Sequence, residues 1–242
     1  ATRLVSVALL TCASATTLAQ SKAPADGKQS GYQTRDTIGG PSGVSQELQD
    51  LDNFRDALFD PAWSKTVLGP WFDWKRELND KYRLKLGVNV LMLAQSGSED
   101  GSGGDDSAAG GIYRFQGSWD AFSTEKSVGK IEWRVEHRSS IGGVPAPQSL
   151  GGTYTAAINT GFPYGDSFDT DIPILSWKQV FTEQRWGYAV GRLAFDVYLD
   201  PSAVQSPYRG YLNRSFVLNP TLATTGLGAL GAVAKGFVSD KV

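Results

Sequence analysis

Between Lys130 and Arg138 the chain alternates strictly: Lys130, Glu132, Arg134, Glu136 and Arg138 are separated by Ile131, Trp133, Val135 and His137. Successive side chains of a strand point to opposite faces, so this run makes a strand with one wholly charged face of mixed sign and one apolar, aromatic face. Few environments accept such a strand. Either the charged face meets water while the apolar face covers a core, or the charged face lines a polar interior while the apolar face meets lipid.

The same period of two recurs elsewhere. Leu84, Leu86, Val88, Val90 and Met92 alternate with Lys85, Gly87, Asn89 and Leu91, and Tyr113, Phe115, Gly117, Trp119 and Ala121 alternate with Ile112, Arg114, Gln116, Ser118 and Asp120. Leu175–Thr182 and Trp186–Leu193 read as two more strands joined by Glu183-Gln184-Arg185, with their faces unassigned. These runs reach the roughly 9–11 residues with which a tilted strand crosses a bilayer. Tyr82, Tyr113, Trp119, Phe122, Trp177, Trp186 and Tyr188 gather near their ends, as interfacial aromatic girdles do. A long acidic loop, Gln95–Gly111, and a long Gly/Pro loop, Ile141–Asp171, alternate with short turns, an asymmetry of outer-membrane barrels. Periodicity alone leaves a soluble sandwich with one wet face equally open.

The N-terminal region has a different character. Arg3 precedes the uncharged run Leu4–Leu18, and the small residues before Gln20 complete the pattern of a secretory signal peptide over residues 1–19. Cys12, the only cysteine, lies inside it, so the exported chain carries no disulfide. Residues 20–46, rich in Ser, Gly, Gln and Pro, read as a flexible linker, and residues 47–82 as a short helical segment. Val44, Leu48, Leu51 and Leu58 lie on one face of a helix predicted over about residues 45–59; Trp71, Trp74 and Leu78 share the apolar face of a second, from about Asp73 to Lys81. Residues 83–242 form the strand domain.

Little in the sequence points to catalysis or cofactors. With one His and one Cys there is no zinc constellation, and a net charge of −2 gives no basic footprint for nucleic acid. The acidic loop that starts at Glu99-Asp100 has Gly111 where an EF-hand needs its bidentate Glu. No G-x-S-x-G motif accompanies His137. Glu132 and Glu136, four residues apart on one strand, are separated by about 13 Å at Cα, beyond the ~5–9.5 Å of glycosidase carboxylate pairs. No cofactor or metal is expected.

Four collinear stretches carry a resemblance. Val135-Glu136-His137-Arg138 followed by Ile141-Gly142-Gly143 and Pro145 resembles the V-E-H-R-x-x-I-G-G strand end of the carbohydrate-selective, OprB-type porins. Asp105 to Gly111 resembles the D-x-A-A-G-G entry to a strand in that family, Gly191-Arg192-Leu193 with Phe195-Asp196-Val197-Tyr198 its G-K-L…F-D-V-Y region, and Gly210 to Thr221 its G-F-L-N…N-P-T run. Leu193-Ala194-Phe195 departs from the family's L-D-P, and Gly226 to Gly236 fits one further strand.

The resemblance implies an all-β fold, a transmembrane antiparallel β-barrel that is sixteen-stranded in the family, preceded here by short N-terminal helices. The chain reads as about the first half of such a barrel. Its implied role is passive diffusion of small neutral carbohydrates, of monosaccharide type, across the bacterial outer membrane, with outer-membrane lipid as its surroundings and no reaction catalysed; a homo-oligomer is compatible with it. In that setting Glu132, Arg134, Glu136 and Arg138, with Arg114 and Asp120 from the neighbouring strand, line the lumen and contact sugar. The alternative is a secreted carbohydrate-binding or glycan-cleaving β-sandwich.

Overall fold

A computed structural model describes residues 6–8, 38, 43–52, 62–96, 106–147, 169–181, 186–199 and 228–236. Most of the expected signal peptide and linker, Leu58, most of the acidic loop, the Glu183–Arg185 turn and the Gly210–Thr221 motif lie outside these residues. The fold is mainly antiparallel β. Strands β1 (Ser6–Ala8), β2 (Leu84–Ser96), β3 (Ser107–Ser123), β4 (Ser127–Ser140), β5 (Asp169–Phe181), β6 (Trp186–Leu193) and β7 (Ala229–Gly236) form one sheet in sequence order, each antiparallel to the next. Among the described residues the sheet is open rather than closed into a barrel.

Strands β2 to β5 are 13 to 17 residues long, longer than periodicity indicated. The loops expected at Gln95–Gly111 and Ile141–Asp171 are correspondingly trimmed: β2 runs to Ser96, β3 begins at Ser107 and β5 at Asp169. The reason is local. Ala108-Ala109-Gly110-Gly111 carries little β propensity of its own and is held in the ladder by partners on both sides, Gly110 and Gly111 pairing with Leu93 and Met92 and with Ser140 and Ser139.

Glycine is required at two places in the strand region, one conformational and one steric. Gly142 and Gly143, at φ of 76° and 73°, turn the chain after β4, so that Ala109 N–H donates to Pro145 C=O and Ile141 N–H to Ala109 C=O, each at 3.0 Å. Gly117 lies opposite Trp133, where a Cβ would sit 2.1 Å from the indole; the missing side chain lets the ring lie flat across the strand.

Helix α1 (Val44–Asp52) starts on Gly43, whose carbonyl accepts from Glu47 N–H at 2.9 Å. It packs on β2, β3 and β4. Val44 and Leu48 are fully buried against Ile38, Ile174, Val180, Ala189, Leu193, Val197 and Tyr198. Ile38 falls within the segment predicted to be a flexible linker, yet it is buried over Gly187, whose missing side chain makes its seat. Tyr198 belongs to α3 (Asp196–Leu199), a single turn after β6 in which Leu199 N–H donates to Phe195 C=O.

Helix α2 (Ala62–Tyr82) begins well before the predicted Asp73 and runs through Pro70. Among its described side chains Phe72 is the buried one, whereas Trp71 and Trp74 pack with tilted rings 5.1 Å apart and are exposed. The spacing of Trp71, Trp74 and Leu78 gave their common side but not its direction. Arg83 ends the helix at φ 55°, its N–H donating to Asn79 C=O, and Trp119 Nε1 donates to the Tyr82 carbonyl at 3.1 Å.

Candidate functional site

Register decides which side chains meet. On the buried face of the sheet Asn89, Arg114 and Glu136 lie side by side across β2, β3 and β4, and one pair further on lie Gly87, Gln116, Arg134 and Ile174. Ser118, Glu132 and Ser176 make the next row. Lys130 and Lys178 are directly opposed, a like-charge pair that would repel. Lys178 turns away diagonally: its Nζ is 2.8 Å from Glu132 Oε2, with both side chains almost fully buried. The Ser45 hydroxyl of α1 donates to the other oxygen of Glu132.

The centre of the face is a network of three carboxylates and several cations. Arg114 Nη2 is 2.6 Å from Glu136 Oε1, and Arg138 Nη2 is 2.5 Å from Glu136 Oε2. Glu47 reaches down from α1 into this network. Arg114 Nη1 donates to both its oxygens at 3.0 and 2.9 Å, Gln116 Nε2 at 3.0 Å, and Arg134 Nη2 lies 3.1 Å away. Arg134 Nε also donates to Gln116 Oε1 at 3.0 Å. Taking a charge out of water costs several kcal/mol, so each carboxylate here needs the cations that flank it. Beside the network, burial together with the nearby Glu132 carboxylate holds the Tyr198 phenol above its usual range.

Five of the six residues singled out in the sequence, Arg114, Glu132, Arg134, Glu136 and Arg138, lie on this face and are largely buried. The sixth, Asp120, lies on the same face but is half-buried, opposite Lys130 and one pair along from Ser118 and Glu132, where a register shift follows. The sequence reading missed Glu47, Gln116 and Lys178. Gln116 was legible as a position on the same face as Arg114; Glu47 sits on a short helix whose polar positions look solvated, and Lys178 lies on a strand whose faces the sequence left unassigned.

The opposite face is apolar and exposed. Val88, Tyr113, Phe115, Trp119, Ile172, Leu175, Trp186 and Val190 all present at least a third of their surface. This assigns the faces of β5 and β6, with Ile174, Ser176, Lys178 and Val180 on the buried face and Leu175, Trp177 and Phe181 on the opposite one. Towards the short-turn end the outer face carries an aromatic band, with Phe122 and Trp177 5.8 Å apart and Phe181 stacked on Trp186 at 4.6 Å. Tyr113, also expected in a girdle, lies further along β3 beside His137, whose Nδ1 is 2.7 Å from Thr170 Oγ1.

The chain matches no protein-family model, no curated protein and no solved structure. What the arrangement can do chemically follows from its groups alone. Glu132 and Glu136 are each held by cations rather than poised as an acid–base pair, and among the described residues no cluster of three His, Cys, Asp or Glu side chains could hold a metal. No described helix is long and apolar enough to cross a membrane. The face carries guanidinium forks, an ammonium, carboxylate oxygens and amides in close alternation.

Proposed function

We propose that this chain is part of an outer-membrane porin through which small neutral carbohydrates diffuse passively. In this reading the sheet continues into a closed antiparallel barrel, its apolar face meets lipid, and Arg114, Glu132, Arg134, Glu136 and Arg138 stand on its lumen side, where Arg138, the most exposed of them, meets the solute. Forked donors and carboxylate acceptors replace a sugar's hydroxyl hydration during passage, and mixed signs keep the field modest, which suits uncharged solutes.

The observation that carries the proposal is that the sheet is inside out. Leu175 is 53% exposed and Val88 48%, while Glu132 is 1% and Arg134 4%. In water such a sheet is penalised twice, by wet apolar surface at roughly 25 cal/mol per Å² and by desolvated charge. Lipid on the outer face removes the first penalty, and closure removes the unpaired edges that lipid does not tolerate. A further observation agrees with it: the aromatic band gathers near one end of the strands.

Cell fractionation with heat-modifiable gel mobility tests the reading. Recovery in the outer membrane, with a folded species that migrates differently after boiling, supports a barrel. A soluble periplasmic pool would instead support a secreted carbohydrate-binding protein.

A further inference from the structure

We infer that α1 is a lumen insert and that Glu47 is the residue that sets the channel's choice between neutral and acidic sugars. This rests on the porin reading. The carboxylate of Glu47 receives donors from three side chains on two adjacent strands, Arg114, Gln116 and Arg134, at 2.9 to 3.1 Å. Two guanidiniums and an amide converging on one carboxylate form a built carboxylate site, and all three side chains belong to the sheet rather than to the helix. The site already has an occupant, supplied by the chain itself.

The helix does not need that carboxylate to find its seat. Val44 and Leu48, both at most 1% exposed, dock it on the apolar patch of Ile174, Val180, Ala189 and Leu193, and the Ser45 hydroxyl adds a bond to Glu132. Glu47 is therefore an addition whose effect falls on the sheet. It cancels one positive charge between Arg114 and Arg134 and fills the place that an aldonate or uronate carboxylate would take. Tethered on α1, it competes at a high local concentration that a passing acidic sugar cannot match. A neutral sugar has no carboxylate to place there and passes the remaining donors and acceptors.

The test uses the complete protein in planar bilayers and liposomes, with reversal potentials under a KCl gradient and flux of glucose against gluconate. Glu47→Gln keeps an acceptor at the same position and removes the charge. It should shift the reversal potential towards anions and raise gluconate flux relative to glucose several-fold. Combining it with Arg134→Gln restores the charge balance and should bring both readouts back. A Glu47→Gln channel with unchanged selectivity and unchanged flux ratio overturns the inference. If Glu47→Gln does not fold, Arg134→Gln alone carries the test: one of the two cations beside Glu47 is lost, cation preference should rise, and unchanged selectivity overturns the inference. A correctly folded parent that conducts nothing defeats the porin reading itself, which is a different outcome.

Discussion

Lys178 on β5 and Glu132 on β4 lie 2.8 Å apart with side chains 1% and 2% exposed, although Lys178 is in register not with Glu132 but with Lys130. The diagonal pairing neutralises Glu132 and takes Lys178 out of repulsion with Lys130. Lys178→Met should therefore leave a buried carboxylate uncompensated and cost about 3–5 kcal/mol in urea unfolding in lipid. The double variant Lys178→Met with Glu132→Leu should recover most of that loss. Equal destabilisation of the single and double variants would argue against the pair.

The outer face gives the second prediction. Val88 lies mid-strand in β2 and Val135 mid-strand in β4, both on the apolar side. Val88→Arg or Val135→Arg should destabilise the membrane-inserted protein by roughly 2–4 kcal/mol. Asn89→Ser, next along the chain but facing the other way, should change stability by less than about 1 kcal/mol, as lumen substitutions do. Comparable costs at Val88 and Asn89 would contradict the face assignment.

Gly117 and Trp133 give the third. A methyl at position 117 would overlap the Trp133 indole, so Gly117→Ala should cost about 1–3 kcal/mol and shift tryptophan emission. Adding Trp133→Leu should relieve most of that cost. Emission unchanged in Gly117→Ala would mean the ring does not lie over the glycine.

The fourth concerns Arg83. A non-glycine residue at φ 55° carries strain of roughly 1–2 kcal/mol, part of which glycine would remove, so Arg83→Gly should stabilise by up to about 1 kcal/mol. Arg83→Val should destabilise. Thermal unfolding in detergent measures both.

The sequence was most informative where chemistry and period coincide. The alternation Lys130–Arg138 located β4 and its two faces, and the matching run on β3 put Arg114 on the same side; the register then pairs Arg114 with Glu136. It misjudged strand ends, because Ala108–Gly111 and Asp169–Pro173 carry weak β signals and are held by their neighbours. Faces on β5 were illegible because Ile174 and Leu175 are both apolar, and because a register shift follows Arg134 in its pairing with β4. Asp120 falls on the same face, as alternation implies, at the end of the charged run opposite Lys130. Glu47 was hidden because nothing in a short amphipathic helix tells that its polar side lands on a charged sheet rather than in water.

Solute flux is the most direct test of the account. The complete protein should be reconstituted in liposomes and swelling followed in isotonic neutral monosaccharide, with Arg138→Ala in parallel. Arg138, 18% exposed and 2.5 Å from Glu136, is more exposed than the Arg114 and Arg134 side chains, so its loss should slow sugar entry and leave Glu136 more able to attract cations. The expected result is swelling well above protein-free liposomes for the parent and slower swelling for Arg138→Ala. Folded, membrane-inserted protein that produces no sugar-dependent swelling would contradict the account.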